Sequence, residues 1–97
     1  MPTACTTRLS EAQFEQISRA IADPKRLCIL KQIAANPEQT PCSSLQVHEA
    51  LSPATVSHHL KELQESGLVD VAREGRTARL TLRREVWDAY LAALASF

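Results

Sequence analysis

Ser52-Pro53-Ala54-Thr55-Val56-Ser57-His58-His59-Leu60-Lys61-Glu62-Leu63 is the stretch whose reading decides the fold. Ser52 is a good N-cap acceptor, and Pro53 carries the fixed φ that suits a first helical position, so a helix is predicted over residues 53–66. Val56, Leu60 and Leu63, at i, i+4 and i+7, give it one apolar face. Gly67 stands where a left-handed cap would end it. Just upstream, Ser43-Ser44-Leu45-Gln46 reads as a capping box opening a short helix over 44–51, which leaves essentially no loop before Ser52.

Working outward, the period changes to two after Gly67. Val69 and Val71 alternate with Asp70 and Ala72, and Leu80 and Leu82 with Arg79 and Thr81. Arg73-Glu74-Gly75-Arg76 supplies the turn of a hairpin over 68–82. Val86, Trp87, Tyr90, Leu91 and Leu94 mark a last helix over 84–96. Towards the N-terminus, Ser10-Glu11-Ala12-Gln13 is a capping box in which Gln13 is expected to reach back to the cap. The helix it opens, over 10–22, carries Phe14, Ile17, Ala20 and Ile21. Asp23-Pro24 ends that helix and starts another over 24–35, with Leu27, Leu30 and Ala34 on one face, widened by Ile29 and Ile33. Asn36-Pro37 stops it, and Glu38 to Cys42 reads as loop. The result is mainly α with a β-hairpin, in the order α-α-α-α-β-β-α, with an N-terminal arm over 1–9 and a single domain over 10–97. A near-zero turn between two helices, followed by a hairpin, is a winged helix-turn-helix pattern.

The chain has 97 residues, one domain's worth, and its 11 Lys+Arg balance 11 Asp+Glu. That balance excludes a uniformly basic chain but not a positive face. The first ten residues hold no apolar run, and no stretch reaches membrane-span length, so a cytoplasmic protein without a membrane partner is expected. Cys5, Cys28 and Cys42 are too few and too widely spaced for a disulfide framework or a zinc finger.

Two stretches carry a resemblance. Ala20-Ile21-Ala22-Asp23-Pro24-Lys25-Arg26-Leu27-Cys28-Ile29-Leu30 is similar to the "ALADPTRLRIL" signature of the ArsR/SmtB family of bacterial regulators. Ser52 to Leu63 resembles that family's "S-x-x-T-V-S-x-H-L-x-x-L" recognition-helix signature, and the likeness runs from about Ser10 to Phe97. The resemblance implies a homodimeric repressor that binds operator DNA, touches its twin through the first and last helices, and is released by an inducer, often a metal or metalloid.

On that reading Ser52, Ala54, Thr55, Ser57, His58 and Lys61 face the major groove, where short hydroxyls let a helix approach the base edges. Ser52 also caps the helix. His59, beside the Leu60 row, reads as a partly buried packing histidine. Arg73 and Arg76 at the wing tip are expected at phosphates or the adjacent minor groove, against the competing reading of a solvated hairpin. Arg79 is open to either, while Arg83 and Arg84 are candidates to cap the last helix or pair with acids. Arg26 is expected to make an ion pair or a backbone contact. Phe14, Ile17, Ile21, Trp87, Tyr90, Leu91 and Leu94, with Phe97, exceed what one small core hides and read as a dimer interface.

The inducer is less legible. The last helix reads Asp88-Ala89-Tyr90 and holds no His, so the family's "D-x-H" zinc site is absent; Cys42 stands alone where its arsenic-site run has several cysteines. Cys5 and Cys42 are the candidate sensing thiols, for trivalent arsenic or for reversible oxidation, with no sensing role as the alternative. Cys42, beside a helix N-terminus, is the more reactive candidate, and Cys28 is expected to be a buried inert thiol. Catalysis finds no support: Cys42 and His48 are not on one helical face, and two glycines make no phosphate-cradling loop. A winged helix serving only as a protein-interaction module is the alternative to DNA binding.

Overall fold

The computed structural model describes residues 9–36, 38–45 and 52–97. Helix α1 (Glu11–Ile21) and helix α2 (Pro24–Ala34) are followed by a two-residue strand β1 (Thr40–Pro41) and a single 3-10 turn (Cys42–Ser44). Helix α3 (Pro53–Glu65), strands β2 (Val69–Glu74) and β3 (Thr77–Leu82), and helix α4 (Arg84–Ala95) complete the described order. The short helix expected over 44–51 and the arm over 1–9 fall almost wholly outside the described residues; Ser44 closes the 3-10 turn and Leu45 is not helical.

Three of the four long helices among the described residues begin with the side-chain cap their residues dictate; α4 has none at Arg83. Ser10 Oγ accepts from Gln13 N–H at 3.0 Å, and Asp23 Oδ1 accepts from Lys25 and Arg26 N–H at 2.9 and 3.2 Å. Ser52 Oγ accepts from Thr55 N–H at 3.2 Å. These bonds satisfy donors that the first helical turn leaves unpaired. The Ser10 capping box is only half formed, because the Gln13 side chain turns away from its own helix and donates to Ser66 O at 3.3 Å. A contact across the fold has replaced the local one.

Helix α3 ends in a Schellman motif: Gly67 N–H bonds Gln64 O at 3.0 Å and Leu68 N–H bonds Leu63 O at 3.2 Å. Gly67 adopts φ +87°, which only glycine takes without strain, and a Cβ there would stand 2.6 Å from Gln13 Nε2. Leu63 and Leu68, which meet across this motif, are both fully buried. Gly75, at φ +61°, opens the two-residue loop Gly75-Arg76 between β2 and β3, as the hairpin turns with matching twist require.

The sheet is antiparallel with order β1-β3-β2. Val71 pairs with Leu80 and Val69 with Leu82, which puts the apolar alternation of both strands on one face. Strand β1 lies in the segment expected to be loop. It pairs Thr40 with Leu80 and Pro41 with Arg79, and its proline is tolerated because the strand lies at the sheet edge.

The core gathers Ile17, Ile29, Leu30, Ile33, Leu63, Leu68, Val69, Leu80, Val86 and Tyr90. This revises three expectations. Ile17 (0% exposed) and Tyr90 (3%) are consumed by the protomer's own core and have no surface to give a twin; the Tyr90 hydroxyl meets Ser18 Oγ at 2.8 Å. Cys28 is exposed rather than buried, because α2 turns Ile29, Leu30 and Ile33 inward and leaves Cys28 on its outer side beside Gln32. Truncating Ile17 to Ala should therefore cost about 2–5 kcal/mol of unfolding free energy. Denaturant titration at several protein concentrations checks this, since a core residue gives the same loss at every concentration.

Candidate nucleic-acid interface

Helix α3 divides into two faces. His59 (5% exposed) and Leu63 are buried, with Val56 and Leu60 half-buried beside them. Ser52, Ala54, Ser57, His58 and Lys61 are exposed on the other side. Thr55 is half-buried, and its hydroxyl lies 3.0 Å from Ser52 Oγ, so part of its polar capacity goes to the cap.

The hairpin stands beside this face. Ser57, Lys61 and Gln64, at i, i+4 and i+7, line one open groove with Cys42, Arg73 and Arg76, about 950 Å³ in volume. Two consecutive elements, α3 and the hairpin, thus present one concave surface, with Cys42 reaching it from a more distant part of the chain. The arginines of the segment behave differently from one another. Arg79 Nε donates to Glu74 Oε1 at 2.7 Å, and Arg83 bridges Glu85 at 3.0 Å and Asp70 at 3.8 Å. Both are committed within the protein, although exposed pairs of this kind add little stability. Arg73, Arg76 and Lys61 are exposed and have no acidic partner among the described residues. Glu65 lines the same groove without an ion pair to any of them, so three cations and one carboxylate leave it positive on balance.

Behind the helix sits a polar cluster. Arg26 Nε donates to His59 Nδ1 at 3.2 Å, and Arg26 Nη1 donates to Ala20 O, also at 3.2 Å. The backbone contact expected of Arg26 is present; its bond to His59 was not foreseen. A histidine that accepts at Nδ1 is neutral and carries its proton on Nε2. Burial pushes the His59 imidazole below its ordinary value, helped by the Arg26, His58 and Lys25 cations and opposed by Asp23. The N–H of Arg26 holds the Asp23 carboxyl below the usual carboxylate range, with Lys25 N–H, His59 and the Arg26 charge assisting.

Of the expected interface set, Phe14, Ile21 and Trp87 are half-buried against the core. Leu91, Leu94 and Phe97 are exposed, Phe97 at 91%. An open groove of about 1120 Å³ between α1 and α4 is lined by Leu9, Phe14, Ala89, Ala93 and Phe97 among others. Cys42 is a half-buried free thiol, and Cys5 lies outside the described residues. No group of three metal-ligating side chains is gathered among the described residues. No helix among them is long and apolar enough to cross a membrane.

A helix capped by Ser-Pro, packed through one face and followed by an arginine-tipped hairpin, defines a winged helix-turn-helix. Residues 21–72 match the model of a helix-turn-helix domain family. The HTH-type transcriptional regulator YceK of Bacillus subtilis, uncharacterized, is 29% identical over 87 residues, spanning 89% of this chain and 87% of that protein. The arsenical resistance operon repressor of Staphylococcus xylosus is 31% identical over 80 residues, or 82% of this chain and 75% of that one. A solution structure of the homodimeric winged helix-turn-helix DNA-binding domain of a possible ArsR-family transcriptional regulator from Mycobacterium bovis aligns with a TM-score of 0.65 at 26% identity, covering 88% of this chain and 76% of that one. The chain belongs to the ArsR family of DNA-binding helix-turn-helix transcriptional regulators.

The lowered His59 pKa fixes the sign of a pH effect on stability. Between the folded value and the ordinary 6.5 the unfolded chain binds more protons, so the contribution of a neutral His59 is complete above 6.5 and is lost as pH falls through that window. Urea midpoints should therefore drop as pH is lowered below 6.5. His59→Gln, which cannot titrate, should flatten that part of the profile, and an unchanged profile would contradict it.

Proposed function

We propose that this chain is a repressor that binds a near-palindromic operator as a homodimer and leaves it on a chemical signal. The observation that carries the reading is the shared groove: Ser57 and Lys61 of α3 and Arg73 and Arg76 of the wing face one space, and the three cations have no acidic partner among the described residues. In the complex, Ser52, Ala54, Thr55, Ser57, His58 and Lys61 approach the major groove, and Arg73 and Arg76 take phosphates or the adjacent minor groove. The twin covers Leu91, Leu94 and Phe97 and the groove between α1 and α4, with Phe14, Ile21 and Trp87 at its edge. The Mycobacterium bovis domain, which is homodimeric, supports this arrangement. Twofold symmetry then calls for half-sites about 34 Å apart, or a multiple of that. The regulator acts in the cytoplasm, where its DNA is.

Cys42 lines the same groove, so its oxidation, or its capture of trivalent arsenic together with Cys5, would alter the surface that meets DNA. The alternative, an interaction module without DNA binding, would turn the same cations to an acidic protein partner and would leave a duplex unbound in the titration that follows.

The test is a duplex titration at two salt concentrations, repeated with peroxide and with arsenite. Arg76→Ala should weaken binding and make the slope of log affinity against log salt shallower by about 1. An Arg76→Ala protein with the parent's affinity and slope would remove the wing from the phosphates.

A further inference from the structure

The Arg26–His59 cluster lies behind the DNA face rather than on it, and the reading above does not use it. Its geometry joins three helices. Arg26, in the first turn of α2, reaches Ala20 O in the last turn of α1 with Nη1 and His59 Nδ1 in the middle of α3 with Nε, each at 3.2 Å. The Ala20 carbonyl is one that the end of α1 leaves without a helical partner. Apolar packing holds α3 close to α1 and α2 but tolerates sliding, whereas two directional bonds from one planar guanidinium fix angle and register.

We propose that Arg26 is a positioning residue for DNA reading: through Ala20 and His59 it sets how α3 is presented, and it lets go of α3 when His59 takes up a proton. The proposal rests on the DNA-binding reading above. A protonated imidazole donates from both nitrogens, so Nδ1 can no longer accept from Arg26, and two cations are left facing each other. The charged groups around His59 are Asp23, Lys25 and Arg26 at the α1–α2 junction and His58 on α3 itself. Asp23 opposes proton loss but is already held by the N–H groups of Lys25 and Arg26, so it caps α2 and does not replace the guanidinium. His59 is buried on the inner side of α3 while His58 is exposed on its outer side. A charged His59 frees the helix that carries it.

The experiment uses the full chain with His58→Gln as the parent, which leaves His59 as the one histidine of α3. The probes are a duplex selected from a random pool by this parent near neutral pH and a scrambled duplex of the same composition; anisotropy titrations of both give a preference ratio. Arg26→Gln should lower that ratio about tenfold near neutral pH, the loss expected for one directional contact, with the circular dichroism unchanged. The parent should lose preference as pH falls below 6.5. His59→Gln, whose amide oxygen still accepts from Arg26, should keep the preference and lose its acid sensitivity. Imidazole nitrogen NMR near neutral pH should place the His59 proton on Nε2 without any DNA present. An Arg26→Gln protein with the parent's preference, a His59→Gln protein as acid-sensitive as the parent, or a proton on Nδ1 would each overturn the proposal. An unmodified chain that, like the parent, selects no duplex would overturn the DNA-binding reading instead, and the NMR measurement would still decide whether the clamp exists; where the parent alone fails, the same titrations are run in the unmodified chain.

Discussion

What α3 can present outward depends on what its inner edge buries. His59, Leu63 and Ser66, at i, i+4 and i+7, are the buried row of this segment, and Leu63 is fully enclosed with Ile17, Ile29, Ile33, Leu68 and Leu80. Burying such a leucine is worth about 1.5–3 kcal/mol, a large share of a small domain's margin, so the helix cannot rotate about its axis without exposing that row. The polar face carrying Ser57, His58 and Lys61 is therefore fixed by the core. Polar contacts set the finer adjustment. Gln13 reaches from α1 to Ser66 O at one end of the helix, and Arg26 reaches from α2 to His59 at its middle.

The zero net charge of the chain conceals a division of labour among its cations. Arg19, Arg79 and Arg83 are spent on Glu15, Glu74, Asp70 and Glu85. Among the described cations without an ion pair, Lys61, Arg73 and Arg76 gather on one groove, while Lys25, Lys31 and Arg84 lie elsewhere. Binding of an anion by the groove cations would weaken as salt rises, whereas burial of the exposed Leu91, Leu94 and Phe97 would not be screened in that way.

Local chemistry made the four long helices among the described residues, the hairpin and the faces of α3 readable in advance, because caps, prolines and apolar periods are written within a few residues of one another. Ser52, Asp23 and Gly67 act as their types dictate. The misread features depend on partners distant in sequence. Strand β1 is two residues long with a proline, so it has no pattern of its own and exists because β3 offers it an edge. Gln13 abandons its capping box for Ser66, 53 residues away. Ile17 and Tyr90 carry the same helical spacing whether they fill a protomer's core or a dimer seam, and only packing shows that they fill the core. The bond between Arg26 and His59 spans 33 residues, and the one sequence-level hint was a cation and a histidine each within a signature-like stretch.

The central claim is that α3 and the wing form one DNA-binding surface. Amide NMR of the labelled chain titrated with a duplex tests it most directly. The account predicts that the largest shifts cluster at Ser52, Ala54, Ser57, His58 and Lys61 and again at Arg73 and Arg76, with α4 little changed. Shifts concentrated on Leu91, Leu94 and Phe97, with α3 and the hairpin tip silent, would contradict it.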